Sequence, residues 1–165
     1  MLQLARSLFV LLLVIGAILI GVTTGQLPAQ IASHFGADGV PNGWMTRDGY
    51  RLFMLAFAIV LPGIVVLGLT FRPGCSAKQL KIPNRDYWLD PVRRETTFRY
   101  IGAHACWLGS LIVVFITAIH LLLIRANATQ PPHLPRQLFI TLLVLFLMGL
   151  ATWLLTMALH FRNKG

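Results

Sequence analysis

Residues 7–24 read SLFVLLLVIGAILIGVTT, a run without a charged side chain. Because an α-helix rises about 1.5 Å per residue, a helix of this length just crosses a hydrocarbon core of about 30 Å. Three further long apolar runs occupy residues 50–71, 101–124 and 138–160. The sequence therefore predicts about four transmembrane helices. The first run, preceded by Arg6, also fits the apolar core of a cleavable signal peptide.

The composition agrees with a chain that lies mostly in lipid. Hydrophobic residues make up 56% of the sequence and charged residues 12%, which is outside the range of soluble proteins. The formal net charge is +9, but the basic residues lie between apolar runs rather than on one soluble face, so no nucleic acid is expected as a partner. Cys75 and Cys106 are too few for a disulfide framework or a zinc cluster, and we expect free thiols.

These features predict the fold class, an all-α integral membrane protein with one membrane domain over residues 1–165. Small residues in the third and fourth runs allow helices to approach closely in a bilayer, which predicts a compact bundle. They are Gly102, Gly109, Ser110, Ala118, Gly149 and Ala151.

The loops predict the orientation of the bundle. Residues 72–100 contain more arginine and lysine than the loops at the other end, so the positive-inside rule places this loop in the cytoplasm. Arg6, Arg162 and Lys164 then place both termini on the same side. Membrane lipids are the first expected partners, since basic side chains attract anionic head groups.

The external segment at residues 25–49 has more specific local content than a simple connector. Asp38-Gly39 and Asn42-Gly43 are strong turn pairs. The residues around His34-Phe35 and Trp44-Met45 therefore predict a small hairpin. Trp44 is expected at the level of the lipid head groups.

The same segment carries a family resemblance. The run Leu27-Pro28, Ile31, His34-Phe35, Gly39, Pro41, Gly43-Trp44 resembles the signature of a bacterial membrane family, domain of unknown function 1648. This domain is the amino-terminal module of SdpI-type immunity proteins. Residues 82–88, IPNRDYW, with Pro91, Arg93-Arg94-Glu95 and Thr96 after them, also resemble the segment that comes after that module in some members. The resemblance covers about a third of the chain.

The resemblance implies a location in the bacterial inner membrane and a connection to immunity or signalling. SdpI-type proteins confer immunity to a membrane-active peptide toxin and sequester a transcriptional repressor at the membrane. This chain departs from them because no carboxyl-terminal SdpI domain is seen after the first spans. The residues that the resemblance assigns to a ligand or motif role are Pro28, His34, Phe35, Gly39, Pro41, Gly43 and Trp44.

Histidines supply the candidate chemistry. His34, His120 and His133 are expected on the same side of the membrane, and three imidazoles can hold a zinc ion with an open position. Their spacing matches no local metal motif, so three unrelated histidines are the simpler interpretation. No cofactor is therefore expected, and zinc is the one open possibility. His104 and His160 lie toward the cytoplasm.

The cytoplasmic loop is the second candidate surface. Its aromatic, acidic and basic residues are interleaved, which is typical of a loop that folds back on the bundle or binds another protein. The candidate docking residues are Arg85, Asp86, Tyr87, Trp88, Arg93 and Arg94. The partner would be another membrane protein or a cytoplasmic regulator.

Three functions stay open from the sequence. The leading one is a non-enzymatic membrane module that binds a small amphipathic ligand or partner through the external loop. The second is a small transporter or a subunit of a larger membrane complex. The third is a metal-dependent membrane hydrolase centred on His34, although the sequence contains no nucleophile elbow, phosphate-binding loop or paired carboxylates within a span.

Overall fold

A computed structural model describes residues 1–70 and 82–162 of the chain. Its elements are, in order, α1 (Leu2–Thr24), β1 (Gln30–Phe35), β2 (Pro41–Thr46), α2 (Arg47–Thr70), α3 (Arg85–Trp88), α4 (Arg94–Asn127) and α5 (Arg136–Arg162). Within the described residues, α1, α2, α4 and α5 are each long and apolar enough to cross a membrane. The chain is therefore a multi-pass helical membrane protein, as predicted. Cys75, Lys164 and the basic residues Arg72 to Lys81 lie outside the described residues.

The helices extend beyond the apolar runs that predicted them. The third span was expected at residues 101–124, but α4 runs from Arg94 to Asn127, so the end of the predicted cytoplasmic loop is helical. Hydropathy marks only the part of a helix that lies in lipid, whereas backbone hydrogen bonds continue through polar residues. At about 1.5 Å per residue α4 is about 50 Å long, which exceeds the thickness of about 30 Å of a hydrocarbon core.

Helix α4 is the centre of the bundle and packs against α1, α2 and α5. Small residues allow these contacts, as predicted. A Cβ atom on Gly109 would lie 2.6 Å from a methyl group of Val66 and 2.7 Å from the Phe9 ring. A Cβ atom on Gly149 would lie 2.9 Å from Leu111. Larger side chains at these glycines would push the helices apart.

Most of the buried apolar residues form two clusters, one toward each end of the bundle. The cluster nearer the hairpin contains Ile20, Leu27, Ile31, Tyr50, Met54, Ala58 and Ile116. The second contains Ala5, Phe9, Ala103, Cys106 and Val113. Helix α5 contributes to neither, and Phe161 is its one buried residue. The fold is therefore a tight three-helix core of α1, α2 and α4, with α5 packed on the side of α4.

Candidate ligand-binding site beneath the hairpin

Strands β1 and β2 form the predicted antiparallel hairpin. Ile31 pairs with Met45 and Ala32 with Trp44, and an irregularity after Ala32 brings His34 opposite Gly43. Turn residues close the loop between the strands. Gly39 has a φ of 83°, which glycine adopts without steric cost.

The side chain of His34 lies directly over Gly43. A Cβ atom on Gly43 would be 2.9 Å from the Cβ of His34, so glycine leaves the space that the Cβ of His34 occupies. The Nδ1 atom of His34 is hydrogen-bonded to Oδ1 of Asn42. Because an amide oxygen only accepts, Nδ1 carries the hydrogen, and Nε2 is the atom left for other partners.

The amide side chain of Asn127 fixes the hairpin to the end of α4. Its Oδ1 accepts a hydrogen bond of 2.8 Å from the backbone N–H of Ala32. Its Nδ2 donates to the carbonyl of Ala32 at 2.9 Å and to the carbonyl of Leu123 at 2.9 Å. Asn127 thus pairs with β1 as a neighbouring strand would, and it is 5% exposed.

The segment between α4 and α5 holds the tip of the hairpin. The backbone N–H of Leu134 donates to the carbonyl of Gly39 at 3.0 Å. A Cβ atom on Gly39 would lie 2.8 Å from the carbonyl oxygen of Leu134 and 2.9 Å from the ring of His133. The hairpin is therefore attached at two points, Ala32 and Gly39.

A chain of hydrogen bonds centred on the buried ring of His120 joins α1, α2 and α4 below the hairpin. Thr23 Oγ1 donates to the carbonyl of Leu19 at 2.6 Å and lies 2.7 Å from Nε2 of His120. The hydroxyl of Tyr50 lies 2.9 Å from Nδ1 of His120. Since the one hydrogen of Thr23 is used, Nε2 donates to Thr23, and Nδ1 accepts from Tyr50. His120 is fully buried with both nitrogens satisfied.

Two cavities lie beneath and beside the hairpin. The first, which we call the membrane cavity, measures about 620 Å³ and lies between α2, α4 and one residue of α5. It is open at the side, where Phe53 and Phe57 are 52% and 41% exposed. Most of its wall is aromatic or aliphatic: Met45, Tyr50, Phe53, Met54, Phe57, Leu61, Ile112, Phe115, Ile116, Ile119, Leu123 and Phe146. Its remaining lining residues are Ser33 and His34, from the hairpin.

The second cavity, which we call the rim cavity, measures about 460 Å³ and lies between the hairpin, α4 and the start of α5. It shares four lining residues with the membrane cavity, which are Ser33, His34, Ile119 and Leu123. Arg136 is its one charged lining residue. The apolar membrane cavity therefore adjoins the smaller rim cavity, which has polar groups at the hairpin.

The predicted motif residues have different places in this site. His34 lines both cavities, while Phe35 and Gly39 line the rim cavity. Gly43 and Pro41 belong to β2, opposite His34 and Phe35. Pro28 is exposed before β1, and Trp44 is 56% exposed, on the hairpin and away from the cavities.

The structure does not bring His34, His120 and His133 together. Among residues 1–70 and 82–162, no group of three or more histidine, cysteine, aspartate or glutamate side chains is placed to hold a metal ion. Both nitrogens of His120 are used in hydrogen bonds to Thr23 and Tyr50. The zinc hypothesis thus has no ligand set in the described residues and stays a prediction.

The predicted docking residues lie at the opposite end of the bundle, around α3. Trp88 Nε1 donates to the carbonyl of Phe161 at 3.1 Å. Asn84 Nδ2 lies 3.2 Å from the carbonyl oxygens of both Phe161 and Arg162. The ring of His160 stacks on Tyr100 at 3.6 Å between centroids. This part of the loop therefore folds back on the bundle and caps the end of α5.

The charged docking residues differ in their exposure. The guanidinium of Arg93 lies 4.0 Å from the centre of the Tyr87 ring, and its Nε donates to the carbonyl of Tyr87 at 3.0 Å. Asp86 is 91% exposed and pairs with Arg85 at 3.0 Å. Arg94 is exposed at the start of α4. Asp86 and Arg94 are thus exposed, and Arg85 is partly buried, whereas Arg93 and Trp88 hold the loop in place.

Sequence reasoning missed Asn127, Thr23 and Tyr50 as site residues. Each lies at the end of a helix, where a polar side chain is ordinary and gives no local signal. An available signal was the position of Asn127 and His120, which are seven residues apart and therefore share one face of an α-helix.

A comparison with protein-family models identifies part of the chain. Residues 11–60 match the model described as "Domain of unknown function (DUF1648)". The match covers most of α1, the whole hairpin and the first half of α2, so it includes Thr23, His34 and Tyr50. No curated protein and no solved structure matches this chain. The predicted resemblance is confirmed over this segment, and the chain therefore carries at residues 11–60 a domain of the family of unknown function 1648.

Proposed function

We propose that this protein is a non-enzymatic membrane module that binds a small amphipathic ligand beneath the hairpin. The observation that carries the proposal is the membrane cavity, which has an apolar wall and ends at Ser33 and His34 of the hairpin. From Tyr50 to Leu61 the wall follows α2 for about 16 Å at about 1.5 Å per residue. An extended alkyl chain fits this wall, with its polar end at the hairpin.

The rigidity of the covering hairpin supports binding rather than simple lipid filling. Asn127 and Leu134 hold the hairpin at two points, and the buried network of His120 fixes Tyr50, which lines the cavity. A site held in one shape costs less entropy to occupy. In the orientation that the basic loop favours, the hairpin faces the outside of the bacterial inner membrane, where it would meet ligands first.

Photo-crosslinking in phospholipid nanodiscs tests the proposal. The probe is a dodecanol that carries a diazirine in its chain, and unlabelled dodecanol is the competitor. We expect labelling of cavity residues such as Phe57 and Phe115 that the competitor suppresses. Labelling that is spread over the exposed surface of α5 and does not saturate would overturn the proposal, because bulk lipid gives that pattern.

A blocking variant sharpens this test. Ile119 lines both cavities, so Ile119→Trp reduces the available space. We expect it to abolish saturable labelling. Leu155→Trp is the matched control, because Leu155 is 58% exposed on α5 and lines neither cavity. Equal labelling of the two variants would contradict the assigned site.

The position of α5 favours a second candidate function, a subunit of a larger membrane complex or a small transporter assembled with one. Helix α5 packs on α4 and buries only Phe161, so most of its surface is open to another polytopic protein. Cross-linking in native membranes separates the two functions. A stable complex through α5 supports the subunit, whereas a monomer with saturable dodecanol labelling supports the binding module.

A further inference from the structure

We infer that the ligand carries an anionic head group, a carboxylate or a phosphate, and that Arg136 recognises it. The inference rests on the proposed binding of an amphiphile and specifies the chemistry of its polar end. Arg136 begins α5, its side chain is exposed, and it is the charged residue that lines the rim cavity.

The guanidinium of Arg136 is available for a ligand. Among residues 1–70 and 82–162, no hydrogen bond or ion pair engages its side chain. Of the other three arginines at this end, Arg47 donates to the carbonyl of Leu27 at 3.3 Å and Arg51 pairs with Asp48 at 3.4 Å. Arg125 is exposed and does not line the rim cavity. Arg136 is therefore a cation beside an apolar cavity that lacks a counter-charge.

The charged residues at the hairpin end also favour an anionic ligand. Four arginines lie at the hairpin end, which are Arg47, Arg51, Arg125 and Arg136, against two aspartates, Asp38 and Asp48. Asp38 accepts a hydrogen bond from the backbone of Val40 within the hairpin turn and does not line the rim cavity. The positive end of the α5 macrodipole also lies at Arg136. An anion is thus attracted, and a cation repelled, at this rim.

The rim cavity and the membrane cavity adjoin each other. The rim cavity and the membrane cavity share Ser33, His34, Ile119 and Leu123. A head group on Arg136 can therefore adjoin an alkyl chain that lies between α2 and α4. Arginine binds carboxylate and phosphate oxygens in a fork geometry, so both head groups satisfy the same site. The ligand is a single-chain amphiphile with one such head.

Competition against the neutral dodecanol probe tests the inference in nanodiscs. The competitors are laurate, dodecyl phosphate, dodecanol and dodecyltrimethylammonium. We expect laurate or dodecyl phosphate to compete about tenfold more strongly than dodecanol, a difference that corresponds to about 1.4 kcal/mol. The stronger of the two anions identifies the head group. Equal competition by all four would contradict the inference of an anionic head group and would leave the proposed amphiphile site unaffected.

Variants then assign the effect to Arg136. Arg136→Gln should remove the advantage of the anions and leave labelling by neutral dodecanol unchanged, whereas Arg136→Lys, which keeps the charge but not the fork, should keep part of the advantage. Arg125→Gln is the matched control, because Arg125 is exposed at the same end but does not line the rim cavity. An anion preference that survives Arg136→Gln, or is lost equally in Arg125→Gln, would overturn the role of Arg136. Absence of saturable dodecanol labelling in the unmodified protein would instead contradict the proposed function itself.

Discussion

The two ends of the bundle are joined by different kinds of interaction. At the hairpin end, the joining side chains are polar and mostly buried, with His120 fully buried, Asn127 5% exposed and Thr23 partly exposed. At the α3 end, they are the partly exposed rings of Trp88, Tyr100 and His160. Asn84 and Trp88 donate there to the last carbonyl groups of α5, and Thr97, the buried polar residue of this end, donates to the carbonyl of Trp88 at 2.8 Å.

This difference determines how each end responds to substitution. Removing one partner of a buried hydrogen bond leaves the other partner unsatisfied, which costs about 1–3 kcal/mol. A partly exposed ring or carbonyl can turn to water or to lipid head groups instead. We therefore expect the hairpin end, which contains the candidate site, to be held in one geometry and the α3 end to tolerate change.

The largest effect is expected for Asn127→Leu. The substitution leaves the N–H and the carbonyl of Ala32 without their partner, so we expect a loss of about 3 kcal/mol in the free energy of unfolding. The midpoint of thermal unfolding in detergent measures the loss, and faster tryptic cleavage after Arg47 reports release of the hairpin. Gln137→Leu is the control, because Gln137 is an exposed amide. If the Asn127 variant had the thermal midpoint and cleavage rate of the wild type, the hairpin would be held by other contacts.

A smaller loss is expected for Tyr50→Phe, which removes the donor to Nδ1 of His120 and costs about 1–2 kcal/mol. Tyr87→Phe is the matched control at the α3 end, because in the described residues the Tyr87 hydroxyl makes no hydrogen bond, and we expect no measurable change. Chemical unfolding in mixed micelles compares the two variants.

Thr23→Val tests whether the network acts as one unit. Since Thr23 and Tyr50 both bind the ring of His120, the double variant should differ from the sum of the single variants by at least about 0.5 kcal/mol. Strict additivity would contradict a coupled network.

The smallest measurable effect is expected for Asn84→Ala at the α3 end. Asn84 has a left-handed backbone with a φ of 51°, and its side chain binds two carbonyl groups of α5 at exposed or partly exposed positions. Alanine suits this backbone less well and makes neither hydrogen bond, so we expect a loss of about 1 kcal/mol in the free energy of unfolding. Asn84→Gly removes the same hydrogen bonds but suits the left-handed backbone, and it should lose less. Glu95→Ala is the control for which we expect no measurable change in the free energy of unfolding, because the ion pair of Glu95 with Arg99 spans 3.9 Å and both side chains are exposed. If Asn84→Ala destabilised the protein more than Asn127→Leu, the contrast between the ends would be wrong.

Local patterns in the sequence account for the elements that were predicted correctly. Each long apolar run became a membrane-spanning helix, because the solvent that surrounds it is lipid. The turn pairs around Gly39 and Gly43 produced the hairpin. Helix ends were less accurate, as α4 shows by beginning at Arg94, since hydropathy carries no information about where a backbone hydrogen-bond ladder stops in polar residues.

The candidate site was predictable only in part. His34, Phe35 and Gly39 were found from the hairpin motif, and they line the rim cavity. In the sequence, Arg136 is only one basic residue of a short loop, and the spacing of Asn127 from His120 places the two on one helix face without showing what either contacts. Whether such a side chain faces a cavity depends on where α5 and the hairpin pack.

By itself the sequence determined the four spans, the hairpin and the polar residues at the helix ends, because hydropathy and turn chemistry act over a few neighbouring residues. Only the tertiary structure decided which of those polar residues meet. Thr23 and His120 are 97 positions apart, and Tyr50 and His120 are 70 apart. Their contact requires each helix to have one rotation about its axis, and close packing at small residues such as Gly109 sets that rotation.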